Sequence, residues 1–159
     1  MRMKKINKAI LCIAMLIMTS VMLVACGVIE VRGKTFVYDS VSIDWGRAKD
    51  EDKETLFEEY LVSNENELLN VLKTRNQRNS RITTFGTDSR YTTVNQDNEI
   101  IDSGYYKQDD EIITLAETED GFADAGNYTL KANDKGYIAT DKLNDELGIF
   151  ARYQYVVNN

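Results

Sequence analysis

Gly148-Ile149-Phe150-Ala151-Arg152-Tyr153-Gln154-Tyr155-Val156-Val157 decides the fold. Ile149, Ala151, Tyr153, Tyr155 and Val157 fall on one face of this stretch, and Phe150, Arg152, Gln154 and Val156 fall on the other. A period of two is that of a β-strand with one side turned to a core. The same pattern returns upstream in short segments at 81–85, 89–95, 99–107, 111–117, 127–132 and 136–140. Turn-forming clusters separate them: Gly86-Thr87-Asp88, Gln96-Asp97-Asn98, Gln108-Asp109-Asp110, Asn133-Asp134-Lys135 and Asn144-Asp145-Glu146, with a longer acidic loop over 117–126. Connections this short favour antiparallel hairpins over crossovers through helices.

A further strand is expected at 35–45. Val37, Val41, Ile43 and Trp45 share one face, interrupted by Asp39, while Phe36, Tyr38, Ser40, Ser42 and Asp44 share the other. Between it and the second strand lies a helical block at about 50–78. Asp50, Glu51, Asp52 and Glu54 crowd its start, and Leu56, Phe57, Tyr60 and Leu61 form a stripe. Ser63-Asn64 interrupts, and Asn64 with Glu67 reads as a capping box opening a second helix striped by Leu68, Leu69, Val71 and Leu72. The fold expected is mainly β, with eight sequential antiparallel strands and two short helices between the first and second. Strands of that number can close into an up-and-down barrel, which removes their exposed edges. The interior of such a barrel is either filled by side chains or holds one small ligand.

The opening of the chain is of another kind. Arg2, Lys4, Lys5 and Lys8 precede an apolar run from Ala9 to Ala25, the anatomy of a secretory signal. Its end, Leu23-Val24-Ala25-Cys26-Gly27, resembles the lipobox of bacterial lipoproteins. That resemblance implies cleavage between Ala25 and Cys26 and a diacylglyceryl group on the Cys26 thiol. An uncleaved anchor helix is the alternative, because 9–29 carries no charge and roughly 20 apolar residues can span a bilayer. Either reading places the remainder on the extracytoplasmic face of a cell membrane. The organisation expected is a signal peptide over 1–25, a lipidated tether over 26–33 and one domain over 34–159. A tether of about seven residues reaches about 25 Å at most, so the domain sits close to the lipid surface.

Removing the signal takes away four of the 19 Lys and Arg and none of the 26 Asp and Glu, leaving a formal charge of −11. Such a balance argues against nucleic acid and against adsorption to anionic headgroups. The two cysteines are Cys12 in the signal and Cys26, so the domain has no disulfide, and the chain has no histidine and no proline. Core packing and strand pairing must hold it together. No histidine base is available to a serine nucleophile, and no Gly-x-Ser-x-Gly elbow occurs. Gln96-Asp97-Asn98-Glu99 lacks calcium-loop spacing, and the Asp109-Asp110-Glu111 run reads as solvated turn charge. No cofactor, metal site or catalytic residue is expected, and the chain reads as no enzyme; a hydrolase using paired carboxylates is the remote third class.

Gly33-Lys34-Thr35-Phe36 on the first strand, followed by short hairpins with acidic turns, resembles the small lipocalin-like lipoproteins of the calycin group. That resemblance implies a calycin-like barrel over roughly 33–157. Lipocalins cover a Gly-x-Trp on the first strand with a late arginine, and here Gly33-x-x-Phe36 and Arg152 stand in those places. The implied closing contact is Arg152 over Phe36, or over Trp45. Two functions follow. One is the binding of a small molecule inside the barrel: Tyr91, Tyr105, Tyr106, Tyr128, Tyr137, Tyr153 and Tyr155 are candidate lining residues for an apolar or sugar-like ligand, although tyrosine also simply suits half-buried strands. The other is a filled barrel that meets an envelope protein through its acidic surface or helices; in both, membrane lipid is a partner through acylated Cys26.

Overall fold

The structure, a computed structural model, describes residues 27–78, 81–123 and 127–158. The expected signal over 1–25, the expected Ala25–Cys26 cleavage position and the Cys26 thiol lie outside the described residues. No described helix is long and apolar enough to cross a membrane.

Eight strands run in chain order: β1 (Lys34–Asp44), β2 (Ile82–Phe85), β3 (Arg90–Val94), β4 (Ile100–Asp109), β5 (Ile112–Ala116), β6 (Thr129–Ala132), β7 (Gly136–Asn144) and β8 (Ile149–Val157). Each pairs antiparallel with its successor, and β8 pairs with β1, so the sheet closes into a barrel. Two helices, α1 (Asp50–Glu59) and α2 (Glu65–Arg78), lie between β1 and β2. The mainly β, eight-stranded antiparallel barrel with two inserted helices is therefore the fold. The strand ends differ from the sequence expectation chiefly at β7, which runs on to Asn144 because Asp141, Lys142 and Asn144 keep pairing with β8.

Along β8 the expected alternation holds: Ile149, Ala151, Tyr153 and Tyr155 are buried and Arg152 is exposed. The alternation of β1 needs a correction. Tyr38 pairs with Tyr155 and Ser40 with Gln154, which leaves Asp39 as an extra, unpaired residue. Such a bulge reverses the facing of everything beyond it. Phe36 and Tyr38 therefore face the core before Asp39, and Val41 and Ile43 face it afterwards. The polar interruption in the apolar face is the point at which that face changes parity.

Residues 29–33, read from the sequence as part of a tether over 26–33, are fastened to the barrel. Val31 is fully buried. Its N–H donates to Gln108 Oε1 at 2.9 Å, and Gln108 Nε2 donates to the Ile29 carbonyl at 2.9 Å. The Ile29 N–H donates to the Asn133 carbonyl, and the Gly33 N–H to the Phe85 carbonyl. Residues 29–33 thus cover the end of the barrel where β1 starts, called here the base.

The helices cover part of the opposite end, where β1 finishes. Leu56, Leu68 and Leu72 are buried in the core, and Trp45 meets Phe57 edge-on at 5.9 Å. Asn64 Oδ1 accepts the Glu67 N–H at 3.1 Å, while Glu67 Oε2 accepts the N–H of Ser63 at 2.7 Å, one residue further back than a standard box. Helix α1 ends with the Val62 N–H on the Phe57 carbonyl and the Leu61 N–H on the Glu58 carbonyl, a Schellman motif. Leucine rather than glycine holds its left-handed position, at φ 55°.

Candidate functional site: an open half of the barrel interior

Inward-facing residues divide the interior into two halves. Toward the base the filling is aromatic. Phe36 meets Phe85 and Tyr137 edge-on at 5.7 and 5.2 Å, and Phe85 meets Tyr106 at 4.9 Å. Tyr137 stacks on Tyr155 with ring centroids 4.8 Å apart. Edge-on and offset rings of this kind fill space densely. The hydroxyl of Tyr106 reaches the barrel rim and donates to the Gly86 carbonyl at 2.7 Å.

Toward the helical end the same strand parity supplies smaller side chains. Thr83, Thr93, Leu115 and Ala139 stand where further rings would be needed to continue the packing, and a cavity of about 640 Å³ results. Its wall also thins. Strand β6 pairs with β7 at only two positions, Lys131 with Ile138 and Ala132 with Tyr137. Beyond them the strands part. Tyr128 stands at the lip of the gap, half-exposed, with its hydroxyl donated across to the Thr140 carbonyl of β7 at 3.4 Å. A one-position ladder would be a weak wall, and a two-position one is little better.

The polar groups of this cavity are arranged rather than scattered. The buried hydroxyls of Thr83 and Thr93 share a hydrogen bond of 3.1 Å, which leaves one hydroxyl proton for a further acceptor. Tyr91 donates its hydroxyl to Asp102 Oδ1 at 3.2 Å. Burial and then the Asp102 carboxylate push the Tyr91 phenol up to about 12. Burial likewise raises Tyr137 well above the ordinary phenol range. Tyr128 is raised by burial and then by Asp141. These phenols stay neutral and serve as donors and as flat apolar walls.

A second recess of about 450 Å³ adjoins the first against the helices. Arg81, Tyr128, Ala139, Asp141 and Tyr155 line both. Beyond these shared residues the first contributes Asp102 and Glu117, and the second contributes Tyr60, Leu72, Arg75, Lys142 and Tyr153. Among the described residues no three His, Cys, Asp or Glu side chains converge as metal ligands would.

Of the tyrosines singled out in the sequence, Tyr91, Tyr128, Tyr137 and Tyr155 line the cavity and Tyr153 lines the adjoining recess. Tyr106 belongs to the filled half, and Tyr105 lies outside with the Arg90 guanidinium 5.1 Å over its ring. The Arg152–Phe36 contact is not made. Phe36 is fully buried inside, whereas Arg152 pairs with Ser42 and Thr140 on the outward face and donates to Asp44. Trp45 is met by Phe57 and by the Lys53 ammonium instead. Parity on β8 forbids the expected contact, since Arg152 lies between the inward Ala151 and Tyr153.

Sequence reasoning missed Thr83, Thr93, Asp102 and Asp141. The available signal was strand parity: each lies an even number of residues from an inward neighbour on its own strand, and each is polar. Asp102 was one of many acids, and Asp141 lay beyond the expected end of its strand. Arg75 comes to the site only through the packing of α2 against the barrel, while Arg81 stands just before β2.

No protein family, curated protein or solved structure matches this chain. The site's own chemistry is therefore the ground on which its function is read.

Proposed function

We propose that the chain is a lipid-anchored, extracytoplasmic lipoprotein of the lipocalin-like kind that binds a small molecule in the open half of its barrel. The observation that carries this reading is the cavity of about 640 Å³, a volume usual for small-molecule sites. Its lining is more polar than a purely apolar ligand requires. Threonine and tyrosine hydroxyls and three carboxylates share the lining with Leu115, Leu130 and Ala139, so the ligand offers hydrogen-bonding groups along with an apolar body. The protein acts as a carrier or sensor of that ligand and not as an enzyme.

The anchor and the cavity fit together. Residue 29 is bonded to the base of the barrel, three positions after Cys26. An acyl group on Cys26 would hold the base against the lipid surface, about 10 Å away at full extension of the intervening chain. The cavity, nearer the other end, would then open away from the membrane. Two or more acyl chains make such an attachment durable.

Two measurements test the reading. Native mass spectrometry of protein taken from its own membrane should show a low-mass adduct that is lost in a cavity-filling variant, Thr93→Phe or Ala139→Phe, whose barrel still gives a native β spectrum. Cys26→Ser should release the protein from the membrane fraction. Adduct-free wild-type protein that is not stabilised by any member of a metabolite library would end the carrier reading, and a Cys26→Ser protein as firmly membrane-bound as before would end the lipid anchor.

A further inference from the structure

The two adjoining recesses carry opposite charge, and they share one tyrosine-walled waist. The carboxylates of Asp102 and Glu117 belong to the barrel cavity alone. Arg75 and Lys142 belong to the helical recess alone. Arg81 and Asp141 stand at the waist between them, with Tyr128 and Tyr155. Among the described residues Arg75 and Arg81 enter no salt bridge, while Lys142 is engaged by Asp145 at 2.9 Å. The cationic end therefore rests on the Arg75 guanidinium, with Arg81 beside Asp141 at the waist, and guanidinium groups suit the planar geometry of a carboxylate or phosphate. At the acidic end Asp102 already accepts the Tyr91 hydroxyl through Oδ1, which fixes the carboxylate and leaves Oδ2 for a second donor. The tyrosine rings between the two ends offer π faces, which attract an ammonium group and pack against an apolar body.

Building on the small-molecule reading above, we infer that the ligand is a zwitterion lying across the waist. Its ammonium group sits at Asp102 and Glu117, and its acid group at Arg75 and Arg81. A neutral apolar ligand would gain nothing from either charged end, whose side chains are exposed at the cleft. A purely anionic or cationic one would satisfy a single end. Free short peptides and the zwitterionic headgroups of lipids both have this chemistry, and they differ in how far apart their charges lie.

Isothermal titration calorimetry of the mature domain with four probe sets separates these cases. The sets are di-, tri- and tetra-alanine with free ends, the same peptides N-acetylated or C-amidated, glycerophosphoethanolamine, and neutral aromatic probes such as indole. Free-ended peptides or glycerophosphoethanolamine should bind, with the preferred set identifying the source, and affinity should fall as salt rises. Capping either end should weaken peptide binding about tenfold or more, the loss expected of a charge-assisted contact. Asp102→Asn should abolish the penalty for N-acetylation alone, and Arg75→Gln the penalty for C-amidation alone. Capped or neutral probes binding as well as zwitterions would overturn the dipolar assignment and leave the cavity reading standing. Binding by no probe at all, with adduct-free protein from the membrane, would overturn both.

Discussion

Arg152 on β8 donates to Asp44 on β1, across the outer face of the seam that closes the barrel. The two residues do not pair directly: Arg152 lies opposite Ser42 and Asp44 opposite Phe150, so the contact is diagonal. The ion pair is half open to water, with side-chain exposures of 50% and 36%. Exposed pairs of this sort contribute about 0.2–1 kcal/mol, less at high salt. Closure itself rests on the backbone ladder from Phe36–Val157 to Asp44–Phe150.

Arg152→Ala should therefore cost under about 1 kcal/mol, and the difference from wild type should shrink in high salt. Urea unfolding at low and high ionic strength measures it. A loss of several kcal/mol would mean that Arg152 has a buried role that its outward position does not provide.

Leu61 is 93% exposed and sits at φ 55°, the left-handed residue that ends α1. A residue with a Cβ is disfavoured there by roughly 1 kcal/mol, and the side chain gains nothing from burial. Leu61→Gly should raise stability by up to about 1 kcal/mol, seen as a higher melting temperature. Destabilisation instead would show that the leucine side chain is engaged.

The base of the barrel depends on Val31 and Gln108. Val31→Ala removes fully buried apolar surface and should cost roughly 1–3 kcal/mol. Gln108→Ala removes the two side-chain hydrogen bonds to Val31 and Ile29 and leaves the Ile29–Asn133 backbone bond. It should speed amide hydrogen exchange at Val31 and expose the segment to protease, while amides in β7 and β8 keep their protection. Unchanged exchange at Val31 would show that packing and the Ile29–Asn133 bond hold the segment without Gln108.

Gly136 is a backbone requirement of the β7–β8 pair. A Cβ at this position would lie 2.1 Å from the Tyr155 carbonyl oxygen, closer than any real contact. Gly136→Ala must push β8 outward beside the cavity wall and should cost more than about 2 kcal/mol. Chemical denaturation decides it, and a variant as stable as wild type would refute this close approach.

Stability should fall above about pH 10. The phenols of Tyr91 and Tyr153 are held up to about 12 in the folded state, first by burial and then by Asp102 and Asp141 respectively. Tyr137 is raised too, chiefly by burial. Between the ordinary phenol value and these raised ones the folded chain binds more protons than the unfolded one, so stability declines as pH rises through that window. Spectrophotometric titration at 295 nm, followed together with circular dichroism, should show a late-ionising set of tyrosines whose appearance coincides with unfolding. Complete ionisation near pH 10 with the fold intact would contradict it.

The sequence alone determined the strands, their order and the position of the helices, because period-two alternation and turn chemistry are local properties written within a few residues. Antiparallel succession through short turns then allowed hardly any other architecture. The charge of the chain and the absence of histidine, proline and a domain disulfide were equally plain. Tertiary structure alone decided the rest. Asp39 became a bulge only in the pairing of β1 with β8, and residues 29–33 became part of the domain only when a barrel end existed for Val31 to fill. Whether the interior was full depended on the sizes of side chains brought together from all eight strands, and Thr83, Thr93 and Ala139 are unremarked where they stand in the chain. Arg75 and Asp102, on a helix and a strand far apart in sequence, acquire a shared meaning only through the closure that sets them at two ends of one cleft. Local rules specify elements; volume and charge inside a closed surface are sums over distant residues, and only the assembled barrel performs them.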